Sequence, residues 1–231
     1  MCRDSKLGLG EDEMRVAILT NTSENVRELT NVTLKNKSLY ADTYGYKVYC
    51  CEMNYENYNN EIVSIMQANL SLMKENDVVM LMGADTMFMN HNIRVEDVFL
   101  PDDLILIAKE KTGWWPINDD VVIYRCVPEV ISFYERLIND FEVWKSYPWR
   151  IQMHLWNLMQ EEPQVRKLFR LVEPSVMNQH PVNWQLGDWI IHLYNMPVVE
   201  KIKLAEGYFN KWPDGKPVLK EKVDGDRPKV L

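Results

Sequence analysis

Three short apolar runs, separated by two stretches of helical periodicity, constrain this chain most. The runs are "MRVAILTNT" from Met14, "YKVYCCEM" from Tyr46 and "VVMLM" from Val78. Between the first two, Val26, Leu29, Val32 and Leu39 recur at roughly helical spacing, and the segment stops at Gly45, a residue suited to a left-handed helix end. Between the second and third, Ile62, Ile65, Met66, Asn69, Leu70 and Met73 mark one face of an amphipathic helix. The pattern predicts strands at Arg15–Thr20, Tyr46–Met53 and Val78–Met82, with a helix over Glu24–Tyr44 and another through Ile62–Met73. Uninterrupted apolar strands alternating with such helices imply an α/β fold: a single Rossmann-like, mostly parallel mixed sheet flanked by helices on both faces. Ligands of such sheets collect at the carboxyl ends of the strands.

Further strands are expected at Leu104–Ala108, Val121–Arg125 and within "DWIIHLY" (Asp188–Tyr194), and helices at Glu129–Phe141, Ile151–Met159 and Val198–Lys211. The domain is expected to span residues 14–212. Residues 1–13 form a polar, disordered start or a stretch foreign to the domain, and the turn-rich 213–231 a tail or linker.

The formal charge of −8 argues against a nucleic-acid surface, because phosphate-backbone binding depends on clustered Lys and Arg. Cys2, Cys50, Cys51 and Cys126 contain no C-x-x-C pair, so neither a disulfide framework nor a zinc site is expected. No transmembrane segment or signal peptide is read in the chain. Sequons at Asn21, Asn31, Asn36 and Asn69 would matter only in a secretory lumen, and three of them fall within expected helices.

Asp85 is the residue that points to chemistry. It follows the apolar third strand, where a lone carboxylate needs a partner or a cation. No G-x-x-x-x-G-K-[ST] loop is present, and T-N-T follows the first strand in place of G-x-G-x-x-G, so a phosphate bound here would need a cation instead of a glycine cradle. A divalent ion held by carboxylate and imidazole, Mn²⁺ or Mg²⁺, would bridge a nucleotide's pyrophosphate. His192, inside "WIIHLY", is the candidate imidazole; a satisfied core histidine is the alternative.

"LKNKSLYADTYGY" (Leu34–Tyr46) resembles the N-K-x-x-Y-A-x-x-H-G-Y signature of the galactosyl-, mannosyl- and xylosyltransferase family of fungal and plant Golgi, with Tyr44 in place of the His. "MGADTMFMN", "PINDDVVIYRC" and "LGDWIIHLY" follow in the order of that family's D-x-D-like, I-N-x-G-V-F-L-I-R and G-D-F-x-V-H-F elements. The resemblance implies a GT-A type glycosyltransferase using a nucleotide-sugar donor, a UDP-sugar being favoured, and a glycan or glycoprotein acceptor. It makes Asp85 the second acid of the metal motif and His192 the late metal or diphosphate ligand. Gly83 stands where the first acid belongs, which predicts weaker metal binding or a water in its place.

The same resemblance assigns donor-site roles. Thr20, Asn21 and Thr22 end the first strand, where the fold holds base and ribose; helix capping is the alternative. Lys37 and Tyr40 share a helix face with Asn36, to meet a phosphate or stack on the base, against a solvated lysine above a core tyrosine. Gly83 and Ala84 allow close backbone approach. Asp119 and Asp120 stand where the family has small residues, and either would position or deprotonate the acceptor hydroxyl, unless both belong to a solvated turn. Trp114 and Trp115 offer a sugar platform or core packing. Asp188 matches the family's G-D and orients the site, while the Met-rich runs, Trp149, Trp156 and Trp184 read as core.

The leading expectation is therefore a metal-dependent hexosyltransferase, retaining by resemblance, with inversion open because of Asp119 and Asp120. A non-catalytic nucleotide-sugar or carbohydrate-binding module with a degenerate D-x-D is the runner-up. The expected location is the cytoplasm, that of the host if the chain is a capsid glycosyltransferase of a large DNA virus, or else the Golgi lumen as an excised domain.

Overall fold

A computed structural model describes residues 14–53, 58–110 and 116–211. In chain order the elements are β1 (Val16–Ser23), a 3-10 turn, α1 (Arg27–Tyr44), β2 (Lys47–Met53), α2 (Tyr58–Met73), β3 (Val78–Met82) and β4 (Thr86–Phe88). There follow α3 (Val95–Val98), β5 (Ile105–Lys109), β6 (Ile117–Arg125), α4 (Pro128–Asn139), α5 (Phe141–Trp144) and α6 (Arg150–Glu161). The chain closes with α7 (Pro163–Arg166), β7 (Phe169–Val172), α8 (Pro174–Met177), β8 (Ile190–His192) and α9 (Val198–Lys211).

The main sheet runs β2-β1-β3-β6-β5-β7. β6 alone runs antiparallel to its neighbours; β1–β2, β1–β3 and β5–β7 are parallel pairs. Alternate residues divide between the two faces. Ala17, Leu19, Val79 and Ile107 pack with Met66, Phe133 and Leu155 on one side. Val16, Ile18, Met80 and Ile123 pack with Tyr40, Phe88 and Trp189 on the other. Both faces are covered at the centre of the sheet, which is why β1 from Val16 to Leu19 and all of β3 are apolar. α1 ends as expected: Gly45 adopts φ 71° and its N–H returns to the Ala41 carbonyl.

Several expectations change. β6 starts at Ile117 rather than Val121, so Asp119 and Asp120 lie within a strand and not in a turn before it. Pairing with β5 steps from Ile107–Val122 to Ala108–Asn118, leaving Asp119, Asp120 and Val121 in a bulge. Such bulges re-aim side chains, and this one turns both acids towards a cleft. "DWIIHLY" does not join the main sheet. β8 pairs instead with β4, a strand formed where a loop was expected, in a separate two-stranded ribbon with Thr86 opposite His192. β7 was not anticipated because Arg170 interrupts it; that side chain forms a bidentate pair with Asp103 at 2.6 Å for each bond.

The buried methionines Met66, Met73, Met80, Met82, Met87 and Met89 are core residues, as read from the sequence. Trp149 is not: it is 51 % exposed. Among the described residues no helix is long and apolar enough to cross a membrane. The expected end segments, 1–13 and 213–231, lie outside the described residues, as do Trp114 and Trp115.

Candidate active site

The carboxyl ends of β1 and β3, the bulge of β6 and the β4–β8 ribbon meet around one group of side chains. Asp85 follows β3, and its carbonyl accepts the N–H of Leu193, so the ribbon draws His192 to it. His192 is buried, with Nε2 3.3 Å from Asp85 Oδ1 and 3.5 Å from Asp120 Oδ2. Ligand atoms of Asp85, Asp120 and His192 all lie within 4.8 Å of one another. Lys201, from α9, reaches the other Asp85 oxygen with Nζ 2.5 Å from Oδ2.

Two carboxylates beside one ring nitrogen repel each other unless positive charge lies among them. Burial works to raise the Asp85 carboxyl, but His192 and then Lys201 outweigh it and hold it well below the usual carboxylate range. Burial works to lower the His192 imidazole, and Asp120 and Asp85 raise it above its ordinary value. Burial and the nearby Asp85 charge push Asp120 up, against the pull of His192, although 45 % of its side-chain surface still faces the cleft. Asp119 is raised to about 7 by burial first and by the Asp120 charge second. Oxygen, oxygen and imidazole donors suit a hard divalent ion such as Mn²⁺ or Mg²⁺, and their spacing fits one.

Asp120 lies directly against Gly83. Gly83 N donates to the Asp120 carbonyl at 2.7 Å, and a Cβ on Gly83 would meet Asp120 Oδ1 at 2.8 Å. A side chain at position 83 would crowd the Asp120 carboxylate, and Gly83 also lines the cleft, as a residue that admits close approach of a donor would. The Gly83 and Ala84 carbonyls point inward: Lys37 Nζ donates to Gly83 O at 2.9 Å and Thr33 Oγ1 to Ala84 O at 2.6 Å.

The cleft itself is a cavity of about 570 Å³ whose walls include Asn21, Gly83, Asp119, Asp120, Trp149 and His192. Asn21 is the member of the Thr20–Thr22 set that lines it. Thr20 is fully buried and accepts Lys37 Nζ at 3.2 Å, and the Thr22 hydroxyl has no hydrogen-bond partner. Lys37 is also fully buried, neither solvated nor in the cleft, and burial lowers its ammonium to about 7 despite the Asp85 charge. Tyr40 lies flat against Phe88 with ring centroids 3.6 Å apart and donates to the Ile93 carbonyl, so the core already occupies its faces. Asp188 accepts Gln185 N at 2.9 Å and orients the segment ahead of β8.

Sequence reasoning missed Lys201, Glu110, Trp149 and Tyr194. Tyr194 alone carried a legible signal, standing two residues after His192 in the same motif.

No protein-family model and no curated protein matches the chain. Solved structures do match. A glycosyltransferase involved in glycosylation of the major capsid of PBCV-1 superposes with TM-score 0.68 at 15 % identity, over 84 % of this chain and 99 % of that one. The fold is the GT-A glycosyltransferase fold. The glycosyltransferase GlyE of Streptococcus pneumoniae TIGR4 shares it with TM-score 0.52 and 11 % identity, over 90 % of this chain. The chain spans 66 % of GlyE. In this GT-A fold the Asp85, Asp120 and His192 group lies at the carboxyl ends of the strands, where open α/β sheets bind their ligands.

Proposed function

We propose that this chain is a divalent-metal-dependent glycosyltransferase that moves a hexose-type sugar from a nucleotide diphosphate sugar, a UDP-sugar being favoured, to a glycan hydroxyl. The observation that carries the reading is the meeting of Asp85, Asp120 and His192 within 4.8 Å at the strand ends of a GT-A fold. These three side chains would hold Mn²⁺ or Mg²⁺, which when bound neutralises the charge growing on the departing diphosphate.

The chain's own residues supply the rest. Asn21, at the carboxyl end of β1 on the cleft wall, would meet the base or ribose of the donor, with Thr22 behind it. Lys201, already at Asp85, offers an ammonium to the diphosphate. Lys37 and Thr20 act from behind, holding the Gly83 carbonyl and so the turn that carries Asp85. Tyr40 stiffens the same wall through Phe88. Of the two β6 acids, Asp120 joins the cation group and Asp119 handles the proton. The acceptor oxygen bonds to the anomeric carbon, the bond from that carbon to the diphosphate oxygen breaks with its electron pair, and the hydroxyl proton passes to Asp119.

Transfer without a metal is a second reading, favoured by the 2.5 Å contact of Lys201 with Asp85, since an ammonium supplies part of the charge a cation would. Release of nucleoside diphosphate from a panel of UDP- and GDP-sugars, with Mn²⁺ and with chelator, tests both. Turnover that needs Mn²⁺ and fails in Asp85→Asn supports the first. Turnover that survives chelation but fails in Lys201→Met supports the second. Binding without turnover on every sugar tried would sink both in favour of a binding module. Because the PBCV-1 glycosyltransferase of this fold is involved in glycosylation of the major capsid, glycans of a viral capsid protein are the first acceptors to try.

A further inference from the structure

Beside the catalytic cleft lies a second cavity of about 490 Å³, and the two share Glu110 and Tyr194. Its far wall is the segment between α8 and β8, which lines it with Gln179, His180, Asn183, Trp184 and Gln185. Each cavity alone is as large as an ordinary small-molecule site, roughly 300–1,000 Å³. The proposed function places the donor and the reacting ring in the cleft and gives the second cavity no occupant.

Its chemistry narrows the choice. The described lining contains no Lys or Arg, and its one carboxylate is Glu110. Among the described residues, a phosphate, sulfate or carboxylate ligand would find no cation to pair with there. Amides and aromatic rings suit a neutral, hydroxyl-rich ligand, the rings meeting the apolar faces of sugars and the amides their hydroxyls. Burial lowers the His180 imidazole, and Nδ1 accepts the Val182 N–H at 3.2 Å.

The wall is also fixed in place. Asp188 Oδ2 accepts Gln185 N at 2.9 Å and Gln179 Nε2 at 3.3 Å, and the Gln179 carbonyl accepts His192 N at 2.9 Å. A wall already ordered does not have to be immobilised when a ligand binds. The ring of His180 stands edge-on to Tyr194 at 4.6 Å, and Tyr194 lies 4.7 Å from the His192 ring. Aromatic contacts therefore run from the second cavity to the cation group. At the junction, Glu110 Oε1 accepts the Tyr194 hydroxyl and Oε2 accepts Asn118 Nδ2, both at 3.1 Å.

We propose that the second cavity is an acceptor subsite for the ring next to the reacting one in a neutral oligosaccharide, so that the chain extends glycans of two or more units. The subsite's role as an acceptor site rests on the glycosyl-transfer reading; its affinity for saccharide does not.

The test uses the full chain on an array of neutral, sialylated and sulfated glycans together with single sugars, and the combined variant His180→Ala with Gln185→Ala. The wild type is expected to retain neutral members of two or more units. The variant should lose about tenfold in affinity, the scale of a ring contact plus a hydrogen bond, and the same factor in the ratio of transfer to donor hydrolysis. Asn183→Ala on the exposed rim gives a second measurement should the double variant fail to fold. Retention of anionic glycans only, equal retention of single sugars, no retention at all, or unaltered binding in the folded variants overturns the subsite. Saccharide binding that these variants abolish, with no donor turnover, sinks the transferase reading and leaves the site standing.

Discussion

Asp120 occupies the space that a side chain on Gly83 would need: a Cβ there would lie 2.8 Å from Asp120 Oδ1 and 3.3 Å from Asp85 Oδ1. A carboxylate of the neighbouring antiparallel strand therefore stands beside the end of β3. Gly83→Ala should cost about 1–3 kcal/mol by overpacking, and Asp120→Ala should relieve most of that cost. Denaturant melts of the two single variants and the double variant form a cycle that measures the coupling. Strictly additive costs would show that the two residues do not share one space.

Asp119 and Asp120 are adjacent, and the proposed mechanism gives them different tasks. Asp120→Asn removes a candidate ligand oxygen, and Mn²⁺ affinity by titration calorimetry should fall at least tenfold, roughly 1.4 kcal/mol. Asp119→Asn should bind Mn²⁺ much more tightly than Asp120→Asn does, while kcat falls by about 10²–10⁴, the usual contribution of a positioned acid or base. Equal losses of metal affinity in both variants would refute the division of labour.

Lys37 is a buried ammonium whose pKa is lowered to about 7, chiefly by burial. The unfolded chain keeps this proton up to about 10.4. Below pH 7 the folded state carries the full cost of a buried charge, and between 7 and the unfolded value that cost shrinks as pH rises, because the unfolded state then binds more protons. Lys37→Met should therefore stabilise the fold by about 1–4 kcal/mol at pH 6, with a smaller gain at pH 9. Transfer should weaken, since the Gly83 turn loses its donor. Melting curves at both pH values check the sign. A Lys37→Met variant less stable than the parent at pH 6 would contradict it.

Trp149, half-exposed on the wall of the cleft, precedes Arg150, whose φ of 43° is in the left-handed region that a side chain rarely adopts. Arg150 Nε is tied to Asn59 Oδ1 at 2.9 Å, so the strained turn is anchored to α2. Strain of this kind persists where the surroundings enforce it, often beside a functional surface. Trp149→Ala should change stability by no more than about 0.5 kcal/mol, as at most surface positions. It should raise the acceptor KM several-fold, about 0.5–1.5 kcal/mol of ring contact. A large drop in melting temperature with an unchanged KM would make Trp149 a packing residue after all.

Local chemistry made much of the fold legible. β3 could be read to the residue, because a strand covered on both faces must be apolar throughout, and Gly45 marked the end of α1, because the left-handed cap needs it. Asp85 stood out for a similar reason, as a carboxylate directly after a buried strand. The rest depended on contacts distant in sequence. The partnership of His192 with Asp85 is expected from the sequence, but the β4–β8 ribbon that makes it, the β6 bulge that delivers Asp120, and the reach of Lys201 from α9 each join segments whose own patterns carry no sign of the pairing. Periodicity reports which face of an element is buried. Which residues then share a cleft is decided by strand order, register and the irregularities of pairing, and these exist only in the assembled fold.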